Sequence, residues 1–274
     1  MITVSVAGGS QPEISALVNR VNEEYPGEVR FAVFDTNINI ADDTTWDYVH
    51  CESELAMAEK AVELVADEKA DILLKGIIPT HTILKELLNK RHGLKTQKVL
   101  SHVALIDMPA KNKSFILTDS AMNIAPTTES MIEIVENVKQ VAKKTGISKP
   151  KIALLSSAET FNPKMPSSVL ATEVAEHFKD SEDSIVYGPI SFDLATSEES
   201  CEHKRFEAPI KGDADILVVP TIDTGNTLYK ALTIFADATA GGTLVGTKIP
   251  VVLTSRSDST ESKLHSLKFA MQQL

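Results

Sequence analysis

Short runs of β-branched and aliphatic residues alternate along this chain with longer segments in which apolar residues recur every three to four positions. The runs "ITVSVA" (2–7), "EVRFAVF" (28–34), "DILLKG" (71–76), "KVLSHVALI" (98–106), "SFILTD" (114–119), "KIALLSS" (151–157), "DILVVP" (215–220), "TLVG" (243–246) and "PVVLTS" (250–255) read as strands. Between them, residues 51–70, 79–91, 127–146, 166–180, 225–238 and 259–273 carry the helical period. This is the pattern of a mostly parallel sheet joined by crossover helices, so the fold class is α/β.

One link breaks the rule. "DMPAKNK" between the fourth and fifth strands is too short for a helix, which predicts an antiparallel hairpin inside the otherwise parallel arrangement. At 274 residues the chain is near the upper limit for a single core. The helix that ends at Lys143 and Gly146, followed by Pro150, reads as a passage between two lobes, with a boundary near Pro126.

The net charge of −11 is spread in short patches rather than gathered into a basic face, which argues against nucleic acid as a partner. Cys51 and Cys201 form no CxxC or Cys/His pattern and read as incidental thiols in a reducing compartment, so a cytoplasmic protein is expected. The start has no basic signal region, and no stretch approaches the roughly 20 apolar residues that span a bilayer, so no membrane association is expected. The histidines lack ligand spacing, and "DDTTWD" (42–47) reads as a capped loop, so no metal is expected.

In open α/β sheets ligands bind at the carboxyl ends of strands, where helix N-termini present free N–H groups. The segments after the strands are accordingly polar. "TSRSDSTESKL" has the D-x-x-E spacing of a capping box at Asp258 and Glu261, but capping leaves Arg256 unexplained: beside a helix N-terminus, its guanidinium calls for an anion. In "DTGNTLYK", Gly225 permits a tight turn, Asn226 offers an amide at the helix entrance and Lys230 lies one turn on; Asn226 or Thr224 serving only as an N-cap is the equally open alternative. "FNPKMP" holds Lys164 between two prolines, where it could meet a phosphate or simply be solvated. "TAGGTLVG" reads as a turn into a strand, and "VAGGSQPEI" lacks both the GxGxxG pattern and the P-loop lysine.

Together, "FILTDSAMNIAP", "ETFNPKMP", "GPISFD", "KGDADILVVPTIDTGNTLYKAL" and "PVVLTSRSDSTESKL", in this order over most of residues 71–270, resemble the phosphate acetyltransferase and phosphate butyryltransferase family, and the butyryl branch most closely. The resemblance implies exchange of a short acyl group, butyryl above all, between acyl-CoA plus phosphate and acyl phosphate plus CoA. No cofactor beyond CoA as a substrate is implied. It places Ser255 and Arg256 near the phosphate and the thiol with Gly225, Asn226 and Lys230 nearby, and sets Asn123, Lys164 and Asp193 in matching motifs. Ser255, Arg256 and Asn226 are the catalytic candidates; the others are substrate-binding candidates, together with Lys85. Lys85 stands where the family usually presents an arginine, and a lysine keeps the charge without the bidentate fork. Ser262 falls where the acetyl branch has an acidic residue, which leaves the thiol base unassigned among Asp258 and water.

The fold implied is two α/β/α lobes around a cleft, as in isocitrate and isopropylmalate dehydrogenases. The first lobe would be 1–126 plus 256–274, the second 127–255, and the assembly a homodimer. The alternatives are a phosphate acetyltransferase, a metal-dependent dehydrogenase of the same fold, and a non-catalytic CoA-binding module.

Overall fold

A computed structural model describes residues 1–41, 43–254 and 258–274. The chain divides into two compact units, Met1–Lys98 with Gly241–Leu274, and Val99–Ala240.

The first unit begins with β1 (Ile2–Ala7), α1 (Pro12–Glu24), β2 (Val29–Asp35), β3 (Asp47–His50), α2 (Glu54–Ala66), β4 (Ile72–Lys75) and α3 (Thr80–Leu87). The second holds β5 (Ser101–Met108), β6 (Lys113–Thr118), α4 (Thr128–Lys144), β7 (Lys151–Leu155), α5 (Pro166–His177), β8 (Ile185–Ile190), α6 (Phe192–Thr196), α7 (Glu198–Lys204), β9 (Ile216–Val218) and α8 (Ile222–Phe235). The chain then runs through β10 (Thr239–Val245), which begins at the end of the second unit, and returns to the first with β11 (Val251–Leu253) and α9 (Thr260–Met271).

In the first unit the strand order is β3-β2-β1-β4-β11-β10, parallel except for the β10/β11 pair. In the second it is β5-β6-β9-β7-β8, parallel except for the β5/β6 hairpin that the short link predicts. Each unit has its own core. Val4, Val6, Leu17, Phe31, Leu74 and Leu267 are among the residues that fill the first, and Ala104, Phe115, Leu117, Leu194, Ile210 and Leu217 the second. Each fully buried large aliphatic or aromatic side chain contributes about 1.5–3 kcal/mol.

The first change of unit falls at Lys98, ahead of the Pro126 boundary that the sequence suggests. The reason lies in pairing: β6 binds β9 in register (Ile116 with Ile216), and Asn137 of α4 donates to the Val99 carbonyl and the Ser101 hydroxyl. The hairpin is thus tied to elements that follow it in the chain.

Three local readings change. The glycine pair of "TAGGTLVG" lies inside β10 rather than in a turn, and a Cβ at Gly241 would come within 2.4 Å of the Ser266 nitrogen of α9. Close helix–strand approach, not turning, calls for that glycine. The cap of α9 is Ser259, whose hydroxyl accepts from the Ser262 N–H, not Asp258. In α8 the cap is Thr221, so Gly225 and Asn226 lie inside the helix rather than at its entrance. The "VAGG" loop also has a packing reason: Gly8 has φ +91° and accepts from the Ile77 N–H, and a Cβ at Gly76 would strike the Gly8 carbonyl.

Candidate functional site

In the second unit the carboxyl ends of β6 and β9 support two segments that touch. Directly after β6, Asp119 is almost fully buried, and its carboxylate accepts from the backbone N–H groups of Ala121, Met122 and Asn123 at 2.9, 2.9 and 3.2 Å. The side-chain amide of Asn123 donates to Asp119 Oδ2 at 2.6 Å and to the Leu100 carbonyl at 2.8 Å. Asp119 therefore folds 119–123 into a compact turn, and the Asn123 amide braces it.

The turn carries α8 against it. A Cβ at Gly225 would lie 2.7 Å from the Asp119 carbonyl oxygen and 2.8 Å from Ser120 Cα, so only glycine allows this approach. One residue on, the Asn226 amide reaches the Ser120 carbonyl at 3.5 Å, the outer limit of a hydrogen bond. Lys230 is exposed one turn further along. The structure thus brings Asn123, Gly225 and Asn226 together, with Lys230 on the Asn226 side of the helix.

Two members of this cluster escape a reading of the sequence. His102, at the start of β5, and Ser120 are both buried, with Nδ1 and Oγ 3.0 Å apart. Thr118 adds a hydroxyl donating to the His102 carbonyl at 2.9 Å. The hairpin register, with Val103 opposite Thr118, sets His102 beside the turn; the available signal was that register, not any local motif.

Asp193 and Lys164 belong to the ends of β8 and β7. Asp193, in the first turn of α6, pairs with Lys204 at 3.0 Å, and Lys204 also donates to Glu159 at 2.8 Å. The Asp193 carboxyl is held below the usual aspartate range by the Ser191 hydroxyl first and by Lys204, against a contrary effect of burial. Lys164 is exposed, its backbone N–H bonded to Asn162 Oδ1 at 3.0 Å. Among the described residues no hydrogen bond or ion pair joins Asp193 or Lys164 to the α8 cluster.

A cavity of about 1460 Å³ opens beside α8, lined mostly by apolar groups that include Pro126, Leu155, Leu170, Phe192, Leu228 and Ala231. Asp223, Thr224, Thr227, Leu228 and Ala231 of α8 line it, and Asn226 and Lys230 are not among the lining residues. Among the described residues, none of the site candidates selected from the sequence lines it.

In the first unit, Lys85 is exposed on α3. Ser255 and Arg256 lie outside the described residues. The flanking residues are described: Thr254 is buried at the end of β11, and Asp258 precedes the Ser259 cap. Among the described residues no cluster of His, Cys, Asp and Glu is arranged to hold a metal, and no helix is long and apolar enough to cross a membrane.

Residues 44–270 match the family described as "Phosphate acetyl/butaryl transferase". The chain is 44% identical over 215 residues to the phosphate butyryltransferase of Clostridium acetobutylicum, an alignment covering 78% of this chain and 71% of that protein. The crystal structure of a branched-chain phosphotransacylase from Enterococcus faecalis superposes with a TM-score of 0.97 at 64% identity, covering 100% of this chain and 99% of the other. A putative 4-hydroxythreonine-4-phosphate dehydrogenase from Salmonella typhimurium shares the fold at 12% identity and TM-score 0.62, covering 100% and 99% of the two chains.

Proposed function

The chain belongs to the phosphate acetyl/butyryl transferase family, and from that membership we propose that it transfers a short acyl group between CoA and inorganic phosphate. The acyl group we assign is butyryl or a short branched chain. The observation that carries the reading is the 64% identity, over the full length, to a protein described as a branched-chain phosphotransacylase.

The reaction needs no redox step. A phosphate oxygen attacks the thioester carbonyl, the tetrahedral oxyanion collapses, the C–S bond breaks, and the thiolate leaves to take up a proton; acyl phosphate and CoA result. Every species in that sequence is anionic or becomes so, and fixed donors are worth most where the charge develops. In this proposal Arg256 faces the phosphate and the developing oxyanion, Ser255 donates beside it, and Asn226 supplies an amide donor from α8. Lys85 and Lys230 are exposed cations suited to phosphate groups, as is Lys164 in its proline-framed loop. Asn123 and Gly225 act by shaping the turn and seating α8, and Asp193 by holding Lys204 at the end of β8.

We assign a homodimer and a cytoplasmic location to the same reading. Supporting the first, Ile234 and Phe235 at the end of α8 are 65% and 86% exposed, an apolar tip on the helix that also walls the cavity. Supporting the second, Cys51 and Cys201 are both free thiols.

The test is thiol release from isobutyryl-, butyryl- and acetyl-CoA with and without phosphate. Phosphate-dependent release that is fastest with the branched or four-carbon substrate is expected. Preference for acetyl-CoA would favour phosphate acetyltransferase activity, and CoA binding without turnover would identify a binding module.

A further inference from the structure

Two lysines in the first unit are buried where lysine is seldom found. Lys75, the last residue of β4, is 3% exposed, and Lys263, in α9, is fully buried. A buried ammonium is costly unless its donors are used. Both spend donors on backbone carbonyls at particular places.

Lys75 Nζ donates to the Thr254 carbonyl at 3.1 Å and to the Gly76 carbonyl at 3.3 Å. The grip is reciprocal, because the Thr254 hydroxyl donates to the Lys75 carbonyl at 3.0 Å. Strands β4 and β11 run parallel with Lys75 opposite Leu253, so this clamp closes their carboxyl ends together. Lys263 Nζ donates to the Asp258 carbonyl at 2.5 Å. Burial draws the Lys263 ammonium below the ordinary lysine range, while the Asp258 and Glu13 carboxylates oppose that shift. One lysine therefore holds the residue just before 255–257 and the other holds the residue just after. Lys75 also fixes Gly76, from which the chain runs into α3 and Lys85.

A neutral donor would satisfy a strand-end carbonyl at lower desolvation cost. An ammonium does something a neutral donor does not: it offsets the negative ends of several carbonyl dipoles where an anionic substrate has to approach. We propose that Lys75 and Lys263 are positioning residues for acyl transfer, setting the backbone at Thr254 and Asp258, the residues that flank 255–257 in the chain. The proposal rests on the acyltransferase reading above.

The experiment compares the full-length wild type with Lys75→Met, Lys75→Gln and Lys263→Met by steady-state kinetics in both substrates, with thermal melting to normalise to folded protein. Met keeps the volume and removes the donors; Gln keeps a donor and removes the charge. For each Met variant the expected result is a fall in kcat of about 10- to 100-fold per folded molecule, the scale of a small misplacement of reacting groups. The KM for acyl-CoA should change by less than about threefold. Lys75→Gln should fall between Met and wild type. Met variants within about twofold of wild-type kcat would overturn the proposal, as would variants whose only change is failure to fold. A wild type without phosphate-dependent turnover would instead overturn the acyltransferase reading, and this inference with it.

Discussion

Gly225 of α8 and Asp119 of the turn after β6 sit so close that a Cβ on residue 225 would lie 2.7 Å from the Asp119 carbonyl oxygen. A helix interior ordinarily favours alanine over glycine by about 1 kcal/mol. Here the preference is reversed by backbone on the other side of the contact, which cannot swing away as a side chain could.

Gly225→Ala is therefore expected to cost stability despite the gain in helix propensity, by about 1–3 kcal/mol as in other overpacked sites. It should also move Asn226, so kcat should fall more than the acyl-CoA KM rises. Thermal melting and steady-state kinetics check both; a higher melting temperature with full activity would show that 119–120 and α8 are not in contact.

Arg256→Ala is expected to lower turnover by about 10²–10³-fold, the scale of losing one oxyanion donor. Arg256→Lys should recover only part of the loss, because a lysine restores the charge without the two-pronged geometry. Phosphate-dependent thiol release at saturating substrate measures each, and wild-type rates in the alanine variant would remove Arg256 from the chemistry.

The Asp193 carboxyl lies below its ordinary range, chiefly through the Ser191 hydroxyl and then Lys204. A carboxyl depressed on folding contributes stability that is present above the unfolded value, near about 3.9, and is lost as pH falls through the folded value. Both side chains are nearly half exposed, so solvent screening keeps that contribution small at neutral pH. Lys204→Ala should raise the Asp193 value toward the ordinary range while leaving the neutral-pH melting temperature nearly unchanged. Side-chain carboxyl NMR titration reads the shift directly, and an unchanged titration would mean the ion pair is not formed in solution.

Phe235→Glu places a charge on the exposed apolar tip of α8. If self-association uses this helix, sedimentation equilibrium should show the dimer weakened at least tenfold, about 1.4 kcal/mol, with the monomer still folded. A variant that dimerises like the wild type would move the interface elsewhere.

How far the sequence reached differs between the fold and the site. The β5/β6 hairpin was legible because a seven-residue link cannot hold a crossover helix. The sequence pattern starts α8 three residues late because Gly225 reads as a turn signal, whereas the Thr221 hydroxyl accepts from the Thr224 N–H and starts the helix earlier. The same error hides why the glycine is needed, since its neighbour Asp119 is more than a hundred residues away in the chain. His102 carries no local pattern at all. Its relation to Ser120 exists only once the hairpin register is formed.

By itself, the sequence determined what depends on near neighbours: the α/β class, most strands and helices, the polar strand ends and the ordered motifs that point to the family. Periodicity and turn chemistry act over a few residues and are written locally. Only the tertiary structure decided which strand ends share a unit, why Gly225 and Gly241 admit no side chain, and that Lys75 and Lys263 turn inward onto Thr254 and Asp258. Those facts follow from packing between segments remote in the chain, where a lysine's burial depends on the carbonyls brought to meet it.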